Sequence, residues 1–312
     1  MSLTMFSCEM CVNVHAAFEG RVKDQFELIA NKEYSVETEE DLRKLAELTN
    51  AGKVAADAKP KQTKDIDLSG LSAEELLKPI GTEANPFNAK YDGDFYKIIG
   101  LKQTTDQITG GSLGWFGYIG SAGVVENLRL AAVDIQSDED VEIATGAMAG
   151  KCHGCVSCCS ADGTIAVKAL TNDVTVGGLV RKLYGSMLAC AAFGSVFGDG
   201  ESCAAGDLAG WVYASSAAMH VCCSSASVEA RSASLSNTGG AFAGDRGVPA
   251  TSFGPFYATG HVVASCQLTG GANTYRIEPN DEKDKVSPPL VWRRKAATTR
   301  RLPSGQRCRS LI

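Results

Sequence analysis

The residues with the clearest capacity for chemistry are the cysteines of segment 152–159, which reads Cys-His-Gly-Cys-Val-Ser-Cys-Cys. Thiolates two residues apart are typical ligands of iron–sulfur clusters and of zinc. The Cys-Pro that commonly completes an iron–sulfur motif is absent, because Ser-Ala-Asp follows. A metal or redox site is therefore one open interpretation, and its candidate ligands are Cys152, Cys155, Cys158 and Cys159.

Other candidate groups give weaker signals. Cys8 and Cys11 form a second Cys-x-x-Cys pair, but it lacks both a partner pair and the βαβ context of a redox motif. No histidine lies in a His-Glu-x-x-His pattern, and no nucleophile can be paired with a base. The sequence thus assigns no catalytic residue and no cofactor. An acidic run that is either a solvated corner or a calcium site comprises Asp134, Asp138, Glu139, Asp140 and Glu142.

Two ladders of apolar positions recur along the chain at steps of 29 to 34 residues. Two registers that advance together indicate one structural unit per roughly 30 residues, which is the pattern of a solenoid. Such units must stack, because none can bury its apolar face alone. The first ladder is Trp115, Met148, Leu179, Leu208 and Phe242, and the second ladder is Leu128, Cys159, Cys190, Cys222 and Phe256.

Each unit has the composition of short β-strands. Segments 174–180 and 191–196 are apolar runs broken by Gly and Ser, and no unit holds ten residues of helical periodicity. Stacked coils of this kind pair in parallel about 4.8 Å apart. The sequence therefore predicts a right-handed parallel β-helix of about six coils.

The repeat also offers a structural interpretation of the cysteines. Cys159 shares the second ladder with Leu128, and a free cysteine behaves as a small apolar residue. We therefore expect the ladder cysteines in the core, with Cys158 and Cys223 turned outward or into a corner. Successive parallel strands give poor disulfide geometry, so mostly free thiols are expected.

Several segments resemble the GLUG-motif repeats of bacterial surface β-helix proteins. Residues 116–120 read Phe-Gly-Tyr-Ile-Gly, residues 125–128 read Val-Glu-Asn-Leu, and residues 176–180 read Val-Gly-Gly-Leu-Val. Segment 65–101 resembles the entry turn that precedes such repeats. The resemblance as a whole covers roughly residues 34 to 270. It departs at Arg181, where Gly is usual. The resemblance implies a β-helix and one of three roles, as an adhesin, a polysaccharide-associated protein or a stalk of an IgA-protease-type peptidase.

Charge and hydropathy restrict the partners. The chain has 312 residues and a net charge of −6, and residues 293–312 hold seven basic and no acidic side chains, so residues 1–292 carry −13. An acidic body argues against nucleic acid as a partner. No apolar run has the roughly 18 residues of a membrane span. No secretory signal is recognisable in residues 1–20. The resemblance implies an extracellular or cell-surface location, and the targeting signal is then expected elsewhere.

Four segments are predicted along the chain. Residues 1–33 are a lead-in. Residues 34–64 hold a short helix with its N-cap at Thr38, followed by a loop, and we expect this helix to cap the β-helix. Residues 65–271 form the β-helix, and residues 272–312 are a C-terminal extension with a basic, disordered tail. The favoured function is a non-catalytic surface module for adhesion, display or spacing, with a glycan or a host or cell-surface protein as its partner. Two alternatives stay open: an accessory domain of a carbohydrate-active enzyme or peptidase, and a metal or redox protein.

Overall fold

The computed structural model describes residues 18–277, except 109–110, 139, 141–143, 170, 214–216, 233–236, 241–242, 247–251, 254–255, 259–261 and 269–270. Within this part the chain is mostly β-structure, and its strands stack in parallel into a solenoid of about five turns with one α-helix near the N-terminus. The predicted fold class is confirmed. None of the helices in the described part is long and apolar enough to cross a membrane.

Each complete turn of the solenoid passes through four sheets, which we number in the order in which the chain meets them. Among the described residues, sheets 1 and 2 have five strands each, sheet 3 has eight and sheet 4 has eleven. Sheet 1 consists of Ser112–Leu113, Ala144–Gly146, Val174–Gly177, Cys203–Gly206 and Asn237–Gly240. Sheet 2 consists of Phe116–Ile119, Ala149–Cys152, Val180–Leu183, Ala209–Val212 and Ala243–Arg246.

Sheets 3 and 4 extend beyond the five complete turns toward the N-terminus. The strands of sheet 3 are Glu33–Val36, Lys59–Gln62, Lys90–Asp92, Val124–Glu126, Cys155–Ser157, Ser186–Leu188, Ala218–His220 and Ser252–Phe253. Those of sheet 4 are Ile66–Asp67, Lys97–Ile99, Lys102–Gln103, Arg129–Ser137, Ser160–Lys168, Ala191–Gly200, Cys222–Ser224, Ser227–Ser232, Phe256–Ala258, Val262–Leu268 and Gly271–Ile277. The last strand of sheet 4 pairs antiparallel with its neighbour, whereas the preceding ladders are parallel.

The α-helix spans Glu39–Asn50 and begins with the capping box that the sequence indicates at Thr38 and Asp41. Its apolar residues Leu42 and Leu45 are fully buried in the same core as the coils. Short 3-10 turns lie at Val22–Asp24, Ala73–Glu75 and Thr105–Gln107.

The segment around the helix also contains strands where a loop is predicted. Lys59–Gln62 pairs in parallel with Glu33–Val36, and its burial alternates along the strand. Its lysines lie on the more exposed side, while Pro60 and Gln62 are buried. The lysines are thus compatible with a strand, because alternate residues point to opposite faces. The first strands of the solenoid therefore precede residue 65.

The members of both ladders whose side chains are described line the core. Trp115, Met148, Leu179 and Leu208 of the first ladder are at most 1% exposed, and Phe242 lies outside the described residues. Leu128, Cys159, Cys190 and Cys222 of the second ladder are at most 2% exposed. The core interpretation of the ladder cysteines is therefore confirmed. Cys158 is exposed and Cys223 is half-buried, as the repeat predicts.

Each ladder cysteine makes the same local hydrogen bond. The thiols of Cys159, Cys190 and Cys222 donate to the carbonyl oxygen two residues earlier, at 3.1, 3.2 and 3.3 Å. A thiol is a weak donor. It gives the corner carbonyl, which already accepts a backbone N–H from the preceding coil, a second donor that the side chain of Leu128 cannot supply.

We expect thiol reactivity to separate two neighbouring cysteines. A maleimide should modify exposed Cys158 rapidly in the folded protein, whereas Cys159 should react only on unfolding, because burial raises the pKa of Cys159 to about 12. Fragmentation mass spectrometry of the labelled peptide distinguishes the two positions. Urea-unfolded protein, in which both should react, is the control, and rapid native labelling of Cys159 or Cys190 would contradict the core assignment.

In four successive coils, the residue immediately before the second-ladder position turns the corner with left-handed backbone geometry. The φ angles are 56° at Asn127, 52° at Cys158, 51° at Ala189 and 54° at Val221. Asparagine tolerates this region, whereas a β-branched residue in it is an outlier. Val221 is also 63% exposed, so little packing offsets its strain.

Replacing this valine should relieve the strain. Val221→Asn is expected to raise the free energy of unfolding by about 1 kcal/mol, because Asn adopts the left-handed region more readily. The reciprocal Asn127→Val should lower it, and would also remove the 3.0 Å hydrogen bond from Asn127 Nδ2 to Asp92 Oδ1. Urea unfolding followed by circular dichroism measures both. Destabilisation by Val221→Asn would show that the corner is not strained.

Candidate functional site

The outer side of sheet 2 carries two rows of aromatic and basic side chains. The third residue of each of the first four strands points outward, and in-register pairing aligns these residues from coil to coil. The residue after the second, third and fourth strands adds a second row beside the first. The first row is Tyr118, Lys151, Lys182 and Trp211, the second row is His153, Tyr184 and Tyr213, and we call the seven residues the aromatic–lysine face.

Stacking fixes the rings of this face. The ring centroids of Tyr118 and His153 lie 5.1 Å apart at an interplanar angle of 7°, and those of His153 and Tyr184 lie 4.1 Å apart at 10°. Parallel rings cover one another's faces, so this part of the stack presents mainly ring edges. Tyr213 departs from the stack, because it is tilted by 47° against Tyr184 and stands at 67° to Trp211.

The two lysines lie over aromatic rings. Lys151 Nζ is 5.8 Å from the ring centroid of Tyr118 and 3.1 Å from Glu83 Oε2. Lys182 Nζ is 5.6 Å from the ring centroid of Trp211. Cation–π contacts at such distances are attractive, and they hold the ammonium groups along the rows.

Partial burial changes the acid–base properties of the rings. Burial lowers the pKa of His153, and the charge of Lys151 lowers it further. Burial also raises the pKa of Tyr118 and of Tyr184. At neutral pH the imidazole is therefore uncharged, so one ring nitrogen can donate and the other can accept, while each phenol keeps its proton. The face can supply hydrogen bonds, ammonium charges and one tilted ring.

The cysteine cluster is not assembled as a metal site. Cys152 lies in a sheet 2 strand and is fully buried, and burial raises its pKa to about 12. Cys155 is half-buried, Cys158 is exposed at the left-handed corner, and Cys159 is buried in the second ladder. No three His, Cys, Asp or Glu side chains are grouped to hold a metal ion in the part of the chain that the structure describes.

The remaining candidates are dispersed. Asp134 lies in a strand of sheet 4, and Asp140 accepts hydrogen bonds from the backbone and hydroxyl of Thr171 and from Asn172, as expected for a corner between coils. His220 is half-buried at the end of a sheet 3 strand. Outside the described residues lie Cys8, Cys11, His15, Glu139, Glu142, His261 and the C-terminal tail.

The sequence does not predict the aromatic–lysine face, although the spacing of its residues is regular. The residues of the first row lie three positions after Trp115, Met148, Leu179 and Leu208 of the first ladder. Those of the second row lie five positions after Met148, Leu179 and Leu208. The apolar ladders can be recognised in the sequence because burial requires an apolar residue at the same position of every coil. The outward rows mix Tyr, Lys, Trp and His, so they show no single repeated class.

Comparison with known proteins adds a structural likeness. No family model and no curated protein matches the chain. Among solved structures it is similar to the crystal structure of a "putative immunoglobulin A1 protease" from Bacteroides ovatus, at 14% sequence identity and a TM-score of 0.45. The match covers 84% of this chain and 83% of that one.

Proposed function

We propose that the chain is a non-catalytic module that works outside the cell or at its surface, where its solenoid presents a rigid outer face for adhesion. The observation that carries the proposal is the aromatic–lysine face. The resemblance of the repeats to those of bacterial surface β-helix proteins supports the location. The partner that best fits such a face is a glycan.

Rigidity supports this role. Sheet 2 keeps one register through its strands, so outward side chains one coil apart are held at the strand spacing of about 4.8 Å. Ring stacking immobilises these side chains before any ligand arrives. Preorganised groups bind more tightly, because less conformational entropy is lost on association.

The chemistry of the face also supports it. Aromatic side chains with polar tips contribute large contact areas at low entropic cost, and they are enriched at binding surfaces. Tyr213 is 47% exposed and is tilted away from the stack, so its ring can lie against the C–H face of a sugar. The phenol and imidazole edges can hydrogen bond sugar hydroxyls.

The proposal is tested by binding of the purified chain to an array of glycans and cell-surface proteins. We expect glycan binding that Tyr213→Ala weakens by about tenfold, since a well-placed ring contributes roughly 1–2 kcal/mol. The matched control is Phe193→Ala, which removes an exposed ring of similar accessibility from sheet 4. That variant should bind as the native chain does.

Two results would overturn the proposal. One is the absence of binding to every array member by a chain whose circular dichroism shows the folded β-structure. The other is saturable turnover of polyuronates, neutral glycans or hinge peptides that a single substitution, such as His220→Ala, abolishes. Turnover of that kind would assign catalysis to this chain.

A further inference from the structure

We infer that the aromatic–lysine face binds a linear acidic glycan that lies along the solenoid axis. The inference rests on the proposed function and specifies its ligand. It depends on the direction of the two rows, on the position of the lysines within them and on the acidic charge of the remaining chain.

The rows define the shape of the ligand. The first row takes one residue from each of four consecutive coils, and the second takes one from each of three. A ligand that contacts the whole length of either row must therefore extend along the axis and must offer contact groups at the spacing of the coils. A polymer of sugars meets that requirement, whereas a compact small molecule would contact only one or two coils.

The lysines define the charge of the ligand. Lys151 and Lys182 are register partners on neighbouring strands of sheet 2. Like charges opposite each other on adjacent strands are unfavourable, and anionic groups bound between them would reduce the repulsion. Glu83, which pairs with Lys151, has a side chain that is 71% exposed, so a ligand carboxylate can replace it at small cost. Carboxylates or sulfates along a glycan suit these two ammonium groups.

The rest of the molecule restricts where such a polyanion can bind. Residues 1–292 carry a net charge of −13, so this part of the chain repels a polyanion at long range, while Lys151 and Lys182 attract it locally. Attraction by the seven basic side chains of residues 293–312 would be unaffected by substitution of these two lysines. Nucleic acid shares the anionic character and also stacks on aromatic rings. Its affinity depends on neutralising many phosphates, which two lysines in an acidic body do not provide. The observations therefore favour a glycan of moderate charge density.

The test compares one sugar chain in two charge states. Binding of oligogalacturonate and of its methyl-esterified, uncharged counterpart is measured by isothermal titration calorimetry at low and at physiological ionic strength. We expect at least about tenfold tighter binding of the acidic form, with a preference that decreases as salt is added, since exposed charges are screened. The double variant Lys151→Gln and Lys182→Gln should lose about tenfold in affinity for the acidic form and little for the ester.

A matched lysine lies on another face. Lys168 Nζ is 5.8 Å from the ring centroid of Phe197 on sheet 4, which is nearly the geometry of the two lysines on the aromatic–lysine face. Lys168→Gln removes one positive charge and one cation–π contact there, and it should leave the affinity for oligogalacturonate unchanged. If it weakens binding as much as substitution of Lys151 alone does, the acidic glycan is not bound at the aromatic–lysine face.

The remaining outcomes separate the inference from the proposed function. Equal binding of the acid and the ester, weakened by Tyr213→Ala but not by the lysine variants, overturns the acidic ligand and leaves the glycan-binding face standing. Tighter binding of a single-stranded oligonucleotide, lost in the lysine variants, replaces the glycan with nucleic acid. Binding of no carbohydrate at all, by a chain with native circular dichroism, overturns the acidic glycan; the proposed function is then overturned only if the protein members of the array also remain unbound.

Discussion

The Asp207→Asn variant should be more stable than the native chain above about pH 7, and the two should be equally stable near pH 4. Asp207 is fully buried between coils. Its Oδ2 accepts hydrogen bonds from Ser224 Oγ and, at 2.7 Å, from the backbone N–H of Ala226, while its Oδ1 has no hydrogen-bond partner within the described residues. Burial disfavours the carboxylate and raises the pKa of Asp207 to about 7.

The direction of the pH effect follows from this shift. In the unfolded chain the carboxyl ionises at its ordinary pKa of 3.8, so between that value and about 7 the folded state holds a proton that the unfolded state has lost. Stability is therefore complete below pH 3.8 and falls as the pH rises to about 7. A difference of about three pKa units corresponds to about 4 kcal/mol. Asparagine does not titrate, so the variant should not show this loss.

Urea unfolding of both proteins is measured at intervals from pH 4 to pH 8. At each pH the free energy of unfolding of the native chain is subtracted from that of the variant, which removes the contribution of other titrating groups. Asp140→Asn is the control, because hydrogen bonds from Thr171 hold the pKa of Asp140 below its usual range. Above pH 4 this carboxyl is mostly ionised in both the folded and the unfolded chain, so the stability difference between Asp140→Asn and the native chain should change little from pH 4 to pH 8. A stability difference between Asp207→Asn and the native chain that does not change with pH would contradict the buried, protonated carboxyl.

The inward half of this fold could be predicted from the sequence because burial acts on every coil alike. Cys159 could be assigned to the core from its register with Leu128 and Phe256, since sister positions in a solenoid share one environment. The N-terminal α-helix could be placed because Thr38 and Asp41 satisfy a local rule of helix initiation. The first inference uses only residues at one position of the repeat, and the second uses only residues within one helical turn.

Features that depend on a partner in another element were not predictable in this way. Asp207 occupies a position that is Gly114, Ala147 and Gly178 in other coils, and its hydrogen-bond partner Ser224 lies 17 residues further along the chain. The aromatic–lysine face requires knowledge of which residues point outward in each strand. The strand Lys59–Gln62 was missed because its lysines conceal an alternating pattern of burial.

The other large effect is expected at the centre of the first ladder. Leu179 is fully buried, its N–H donates to the carbonyl of Leu208, and its own carbonyl accepts from Met148 and Ala149. Leu179→Ala should lower the free energy of unfolding by about 2–5 kcal/mol, because it removes apolar contacts and leaves a cavity that the stacked backbone cannot close. Urea unfolding monitored by circular dichroism measures the change.

Leu188→Ala is the matched control, since it makes the same chemical change at a residue that is 37% exposed. It should cost less than about 1 kcal/mol, as surface substitutions usually do. Equal losses at the two positions would mean that the first ladder does not line the core. A large loss at Leu179 alone would instead mean that the inward-facing residues supply most of the stability of the solenoid, because each coil packs on its neighbours through them. Outward residues such as those of the aromatic–lysine face would then be free to serve binding at little cost to the fold.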